Sequence, residues 1–101
     1  MLDELFEYMK TQAPREGCAI VIGDKWFPIE NMSLEDDGFE MNSADYIRHV
    51  INGGEPTAIV HSHVNQENFE LSPHDKSASE ALAIPYWVVE VPSGKWIKYN
   101  E

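Results

Sequence analysis

His61 and His63 are separated by one residue at the end of a short apolar run, Thr57 to His61. If that run is a strand, alternate side chains share a side, and both imidazoles reach one point in space. Asp75 follows in what reads as the first turn of a helix. Two neutral imidazoles and one carboxylate form a three-ligand set for Zn²⁺, with the fourth tetrahedral position left to water, the open arrangement of a catalytic rather than a structural site. Zinc lowers the pKa of such a water to about 7, so that hydroxide becomes available near neutrality. The water still needs a proton acceptor. Glu16, in Pro14-Arg15-Glu16-Gly17-Cys18, is the acid just ahead of the first apolar strand candidate. Ser72 stands at the mouth of the helix that carries Asp75. Its hydroxyl can donate to the oxyanion of a tetrahedral intermediate and can also cap the helix.

Each of these residues has an ordinary reading by itself. A His-x-His pair arises by chance, Ser-Pro-x-Asp starts many helices, and a single glutamate is usually a surface charge. The joint order is what favours a metal site: Glu16, then His61-Ser62-His63, then Ser72-Pro73-His74-Asp75, each at a strand end or a helix start. His49 and His74 read as surface or partly buried histidines. Cys18, inside an apolar run and without a CxxC partner, reads as a small core residue. Trp26, Trp87 and Trp96 read as core or sheet-face aromatics.

The elements that must position these groups follow from spacing. Leu2, Leu5, Phe6 and Met9 fall on one helical face, and Pro14 ends that helix. Cys18 to Ile22 and Lys25 to Ile29 flank Gly23-Asp24 as a hairpin, with Pro28 pointing to an edge strand. Glu30 to Glu40 holds five acids and no base and reads as a solvated loop, with a short strand possible around Phe39 to Met41. Ser43 precedes a second helix with Tyr46, Ile47, Val50 and Ile51 on one face, stopped at Gly53-Gly54. Thr57 to His61 is the buried-strand candidate. Ser72-Pro73 starts a third helix running to about Leu82. Tyr86 to Val91 and Lys95 to Tyr99 close the chain as a hairpin around Pro92-Ser93-Gly94. This order of helices and strands predicts an α/β fold, a mixed central sheet flanked by helices.

The chain has 101 residues and is 43 % hydrophobic, which fits one domain over residues 1–101 with a single core. Eighteen acids against seven Lys and Arg give a net charge of −11, which excludes a phosphate-backbone binder and disfavours anionic membranes. A single cysteine and an acidic start, without the basic and apolar regions of a secretion signal, predict an intracellular location. No apolar run is long enough to span a bilayer, so a soluble domain is expected.

The series Glu16, His61-Ser62-His63, eight residues, Ser72-Pro73-His74-Asp75 resembles the JAMM, or MPN-plus, zinc metallopeptidases. Pro14 to Cys18, Phe27-Pro28-Ile29-Glu30-Asn31, Phe39 to Tyr46 and Ile84-Pro85-Tyr86-Trp87 look like the amino-terminal JAMM domain of phage tail assembly proteins of the lambda K type. The resemblance covers nearly the whole chain. It implies a cytidine-deaminase-like α/β fold, one zinc held by His61, His63 and Asp75, Glu16 as general base and acid, and Ser72 as oxyanion partner. The His-x-Glu and Pro-Cys-x-x-Cys signature of zinc deaminases is absent.

Two positions depart from the family pattern. Val64 stands where proline is usual, which predicts a reshaped loop after His63, and Ala19 stands where glycine is common. Similar phage proteins commonly carry an NlpC-type cysteine peptidase domain as well, so these residues read as a free-standing version or an excised domain. The resemblance implies a zinc-dependent hydrolase cutting a peptide or isopeptide bond, with ubiquitin-directed enzymes among its eukaryotic relatives. The alternative is a non-catalytic assembly or scaffold module of the same fold. Phage tail components in the cytoplasm of a bacterial host are the implied partners, with no nucleic acid and no membrane involved.

Overall fold

The computed structural model describes residues 1–36, 38 and 40–101. The elements run α1 (Leu2–Gln12), β1 (Cys18–Ile22), β2 (Lys25–Ile29), α2 (Ser43–Gly53), β3 (Ala58–Val64), α3 (Pro73–Leu82), β4 (Tyr86–Val91) and β5 (Trp96–Tyr99). They form the expected α/β architecture around a five-stranded sheet of order β2-β1-β3-β4-β5. Every neighbouring pair is antiparallel except β3 and β4, which run parallel and are joined through α3, the crossover that a parallel pair requires. Pro28 sits on β2 at the sheet margin, where its missing N–H costs no ladder bond.

Strand alternation divides the core in two. On one face Leu5 and Met9 of α1 pack on Ala19, Val21, Ala58, Val60, Val89 and Val91. On the other, Cys18, Ile20, Ile29, Ile59 and Tyr86 are covered by Tyr46 of α2 and Ala78 of α3. Leu5 and Met9 are fully buried, so each contributes roughly 1.5–3 kcal/mol of transfer free energy. In β3 the same alternation turns Ala58 and Val60 toward α1 and Ile59 toward α2 and α3. His61 and His63, two and four residues after Ile59, therefore emerge on the α3 side of the sheet.

Several boundaries differ from the sequence expectation. The cap of α2 is Asn42 rather than Ser43, its side chain accepting from the Asp45 N–H at 3.2 Å. The contact stripe of α2 is also turned. Ile47 and Ile51 are 54 % and 76 % exposed, whereas His49 stacks on Phe27 at 4.6 Å and Gly53 lies against Ile22. Tyr46, His49, Val50 and Gly53 follow the i, i+3, i+4, i+7 spacing of one helical face, and His49 and Gly53 fit against the hairpin. Of the strand expected around Phe39 to Met41, Phe39 lies outside the described residues, and Met41 makes a single bridge to Asn31. Among the described residues no helix is long and apolar enough to cross a membrane.

Candidate metal centre

β3 and the first turn of α3 build the site. β3 continues three residues past the expected His61 end, because its parallel ladder with β4 pairs His61 with Val88, His63 with Glu90 and Val64 with Val91. Both imidazoles thus stand on a paired strand, with ring centroids 5.1 Å apart. Across from them, Ser72 caps α3 in a reciprocal box. Ser72 Oγ accepts from the Asp75 N–H at 3.0 Å, and Asp75 Oδ2 accepts from the Ser72 N–H at 3.3 Å. The cap holds the Asp75 carboxylate against both rings, with Oδ1 3.0 Å from His61 Nε2 and Oδ2 3.2 Å from His63 Nε2.

Glu16 reaches the same cluster from the start of β1, its Oε1 3.3 Å from His61 Nδ1. The backbone of Glu16 and Gly17 is held from three directions. Ser62, between the two histidines and pointing to the opposite face, accepts from the Gly17 N–H at 2.8 Å and donates its own N–H to the Gly17 carbonyl at 3.1 Å. Asn31 donates from Nδ2 to the Glu16 carbonyl at 2.7 Å, and the Glu16 N–H reaches the Asp36 carbonyl at 3.2 Å. A Cβ at position 17 would fall 2.6 Å from Sδ of the buried Met9, so a larger residue there would force the Met9 side chain to move. Glu30, Glu35, Asp36 and Glu40 of the acidic segment after β2 are exposed as expected, and the segment is also tied through Asn31 to the backbone of Glu16.

The two rings are arranged alike. His61 turns Nδ1 to Glu16 and Nε2 to Asp75, while His63 turns Nδ1 to Gln66 Oε1 at 2.8 Å and Nε2 to Asp75. Acceptors thus face both nitrogens of each ring, and when a metal takes the place of the proton between Nε2 and Asp75, the acceptor at Nδ1 holds the remaining N–H there. Among these groups Glu16, His61, His63 and Asp75 are between 1 % and 6 % exposed. Burial by itself lowers the pKa of His61, but hydrogen bonds to Asp75 and Glu16 and their charges outweigh it and push the imidazole up to about 9. Burial likewise works to raise Asp75, and the hydrogen bonds from His61 and His63, the His61 charge and the Ser72 N–H hold it well below the usual carboxylate range.

Two buried carboxylates beside two imidazoles call for a cation. A proton on His61 is one answer, and a divalent ion held by the same atoms is another. Tetrahedral zinc with bonds of about 2.0–2.1 Å separates its ligand atoms by about 3.3 Å, and the 3.0 and 3.2 Å contacts of Asp75 with the two Nε2 atoms are close to that edge. Glu16, His61 and His63 also offer ligand atoms that all lie within 4.8 Å of one another. Glu16, however, meets His61 on its Nδ1 edge, and one ring cannot give both nitrogens to one ion. The donors present suit a divalent ion such as zinc, held either by both Nε2 atoms with the Asp75 carboxylate or by Glu16, His61 and His63.

Residues 1–98 match Prok-JAB, the prokaryotic homologs of the JAB domain. The chain belongs to the Prok-JAB family. It is also 30 % identical over 98 residues to the tail tip assembly protein K of Escherichia phage N15, an alignment that covers 92 % of this chain and 40 % of that protein. The chain thus spans about 40 % of the length of this relative. The expected family resemblance and the mixed α/β fold of the JAB/MPN type are both borne out.

Within this Prok-JAB domain, Ser62, Asn31, Gln66 and Glu90 also shape the site, beyond the residues expected from sequence. Ser62 carried a signal, because the period of a strand turns the middle residue of His-x-His away from its neighbours. Asn31 and Glu90 act on backbone groups brought close by folding, and Gln66 meets the His63 ring only through the turn at Asn65, so none of the three carries a spacing that points to the site. Cys18 is a core residue as expected. Its Sγ donates to the Ile29 carbonyl at 3.0 Å, and burial, reinforced by the Glu16 charge, pushes its thiol up to about 12. His74 is exposed and His49 half-buried.

Proposed function

We propose that this domain is a zinc-dependent metallopeptidase, a hydrolase of peptide or isopeptide bonds, with one Zn²⁺ held by His61 Nε2, His63 Nε2 and Asp75. The observation that carries the reading is the convergence of both Nε2 atoms on the two oxygens of Asp75, with Glu16 at the edge of the same cluster. When bound, zinc would supply Lewis acidity and bring a water to a pKa of about 7. Glu16 takes the proton of the attacking water at its carboxylate and delivers it to the leaving nitrogen, serving as base and then as acid. Ser72 uses a lone pair in the cap, so its O–H is available to donate to the charge that develops on the carbonyl oxygen.

Cavities on both sides of the cluster give a polypeptide somewhere to lie. One of about 170 Å³ is lined by Glu16, Asp36, Val64 and Gln66, and another of about 500 Å³ by His63, Gln66, Leu71 and Ser72. The similarity to a tail tip assembly protein supports phage tail components as the substrate class, cut at limited positions during assembly in the cytoplasm of a bacterial host. The net charge of −11 supports a basic protein surface as partner and argues against nucleic acid or an anionic membrane. We read residues 1–101 as one domain.

The experiment is incubation of the zinc-loaded domain with candidate tail proteins and, separately, with linked ubiquitin, alongside Glu16→Gln as control. Cleavage of a tail protein that disappears in Glu16→Gln is the expected result. Efficient cleavage of ubiquitin chains would overturn the phage substrate class. With zinc bound, cleavage of no tail protein would overturn the peptidase reading in favour of a non-catalytic assembly module.

A further inference from the structure

Glu90 is a buried carboxylate on β4 that the chemistry above does not use. In the parallel ladder it is the register partner of His63 and points to the same face. Its two oxygens bind two loops, Oε2 accepting from the Gln66 N–H at 3.0 Å and Oε1 from the Ser93 N–H at 3.1 Å. Between His63 and Gln66 the chain turns sharply. Val64 is the last residue of β3, and Asn65 takes a left-handed φ of 58° while its N–H donates to the Val91 carbonyl at 2.8 Å. The turn brings the Gln66 side chain back onto His63, with Oε1 2.8 Å from Nδ1. The loop expected to be reshaped by Val64 is therefore pinned to β4 at two successive N–H groups.

We propose that Gln66, anchored through its backbone by Glu90, is a positioning residue that fixes the tautomer and the ring orientation of His63 for metal binding through Nε2. The proposal rests on the reading of His63 as a ligand and adds the residues that make it one. A neutral imidazole carries one N–H. Without a metal, Asp75 Oδ2 competes for that proton at Nε2; with a metal on Nε2 the proton belongs on Nδ1, where the Gln66 oxygen accepts it, and the alternative tautomer, with the proton on Nε2, cannot bind a metal there. Phe69, edge-on to the ring at 5.8 Å, limits the ring's other freedom. A carboxylate is buried at position 90 at the expense of its solvation, and the N–H groups of Gln66 and Ser93 compensate for that loss. A staple of two loops alone would explain Glu90, but it would leave the Gln66 side chain with no reason to meet Nδ1. Groups of this kind change metal affinity by about 10–100-fold in other sites.

The test is zinc affinity, measured by competition with a chromophoric chelator, for the unmodified chain, Gln66→Leu, Gln66→Glu and His63→Ala, together with the exchange rate of the His63 Nδ1–H in the zinc-loaded chain by NMR. Gln66 is exposed, so its replacement leaves the core intact, which thermal unfolding verifies. The expected result for Gln66→Leu is zinc binding weaker by about 10–100-fold and a faster-exchanging Nδ1–H. Gln66→Glu keeps an acceptor oxygen and is expected to retain both the affinity and the slow exchange. Unchanged affinity and exchange in Gln66→Leu, with His63→Ala impaired, would overturn the positioning role alone. Unchanged affinity in His63→Ala would overturn the ligand reading and the positioning role together.

Discussion

Ser72 and Asp75 bind each other twice, the serine oxygen accepting from the aspartate N–H at 3.0 Å and the aspartate oxygen accepting from the serine N–H at 3.3 Å. The start of α3 and the placement of Asp75 beneath the histidines are therefore one interaction. Ser72→Ala is expected to lower stability by about 1 kcal/mol as a lost N-cap. Zinc should stay bound, and kcat should fall by about 10²- to 10³-fold for loss of a lone oxyanion donor. Thermal unfolding and steady-state kinetics read the two effects separately. A stability loss with unchanged kcat would leave Ser72 a cap and nothing more.

Glu16→Gln removes a proton acceptor while the Nε2 side of His61 stays directed at Asp75. Zinc content is expected to be unchanged and hydrolysis abolished. Metal analysis and turnover on the same preparation measure both, and full turnover in Glu16→Gln would take the residue out of the mechanism.

The cluster also predicts how pH acts on the chain stripped of metal. His61 is raised from 6.5 to about 9, so its contribution to stability is complete below about pH 6.5 and is lost as pH rises through 9. Asp75 is lowered, so its contribution is present above its ordinary value of 3.8 and is lost as pH falls below it. Stripped chain should thus be favoured between these limits. Zinc competes with the His61 proton, so the Tm increase it brings should grow as pH rises from 6 toward 9. A zinc-induced Tm shift that is flat across this range would contradict the arrangement.

A net charge of −11, with Glu30, Glu35, Asp36 and Glu40 exposed, predicts faster association with a basic protein partner at low salt. Stopped-flow association rates for a basic tail protein should fall steeply as salt is added, while dissociation changes little. Rates independent of salt would remove electrostatic steering from the account.

What was legible in the sequence was local. The Leu2-Leu5-Phe6-Met9 stripe, the Ser72-Pro73 cap and the spacing of His61 and His63 each involve neighbours along the chain, and each folds as read. What was not legible depends on pairing between distant strands. The extension of β3 to Val64 is set by its ladder with β4, and the same register places Glu90 beside His63. Gln66 gains its contact with His63 only through the turn at Asn65. The rotation of α2 has a similar origin. Ile47 and Ile51 match the apolar period, but the fit of His49 on Phe27 and of Gly53 on Ile22 decides which face meets the sheet.

The central claim is that His61, His63 and Asp75 together hold one zinc ion. Calorimetric titration of zinc into the metal-stripped chain at neutral pH, run in parallel on His61→Ala, tests it most directly. One equivalent bound by the unmodified chain, with binding weakened severalfold or lost in His61→Ala, is the predicted result. No binding by the unmodified chain, or equally tight binding by His61→Ala, would contradict it.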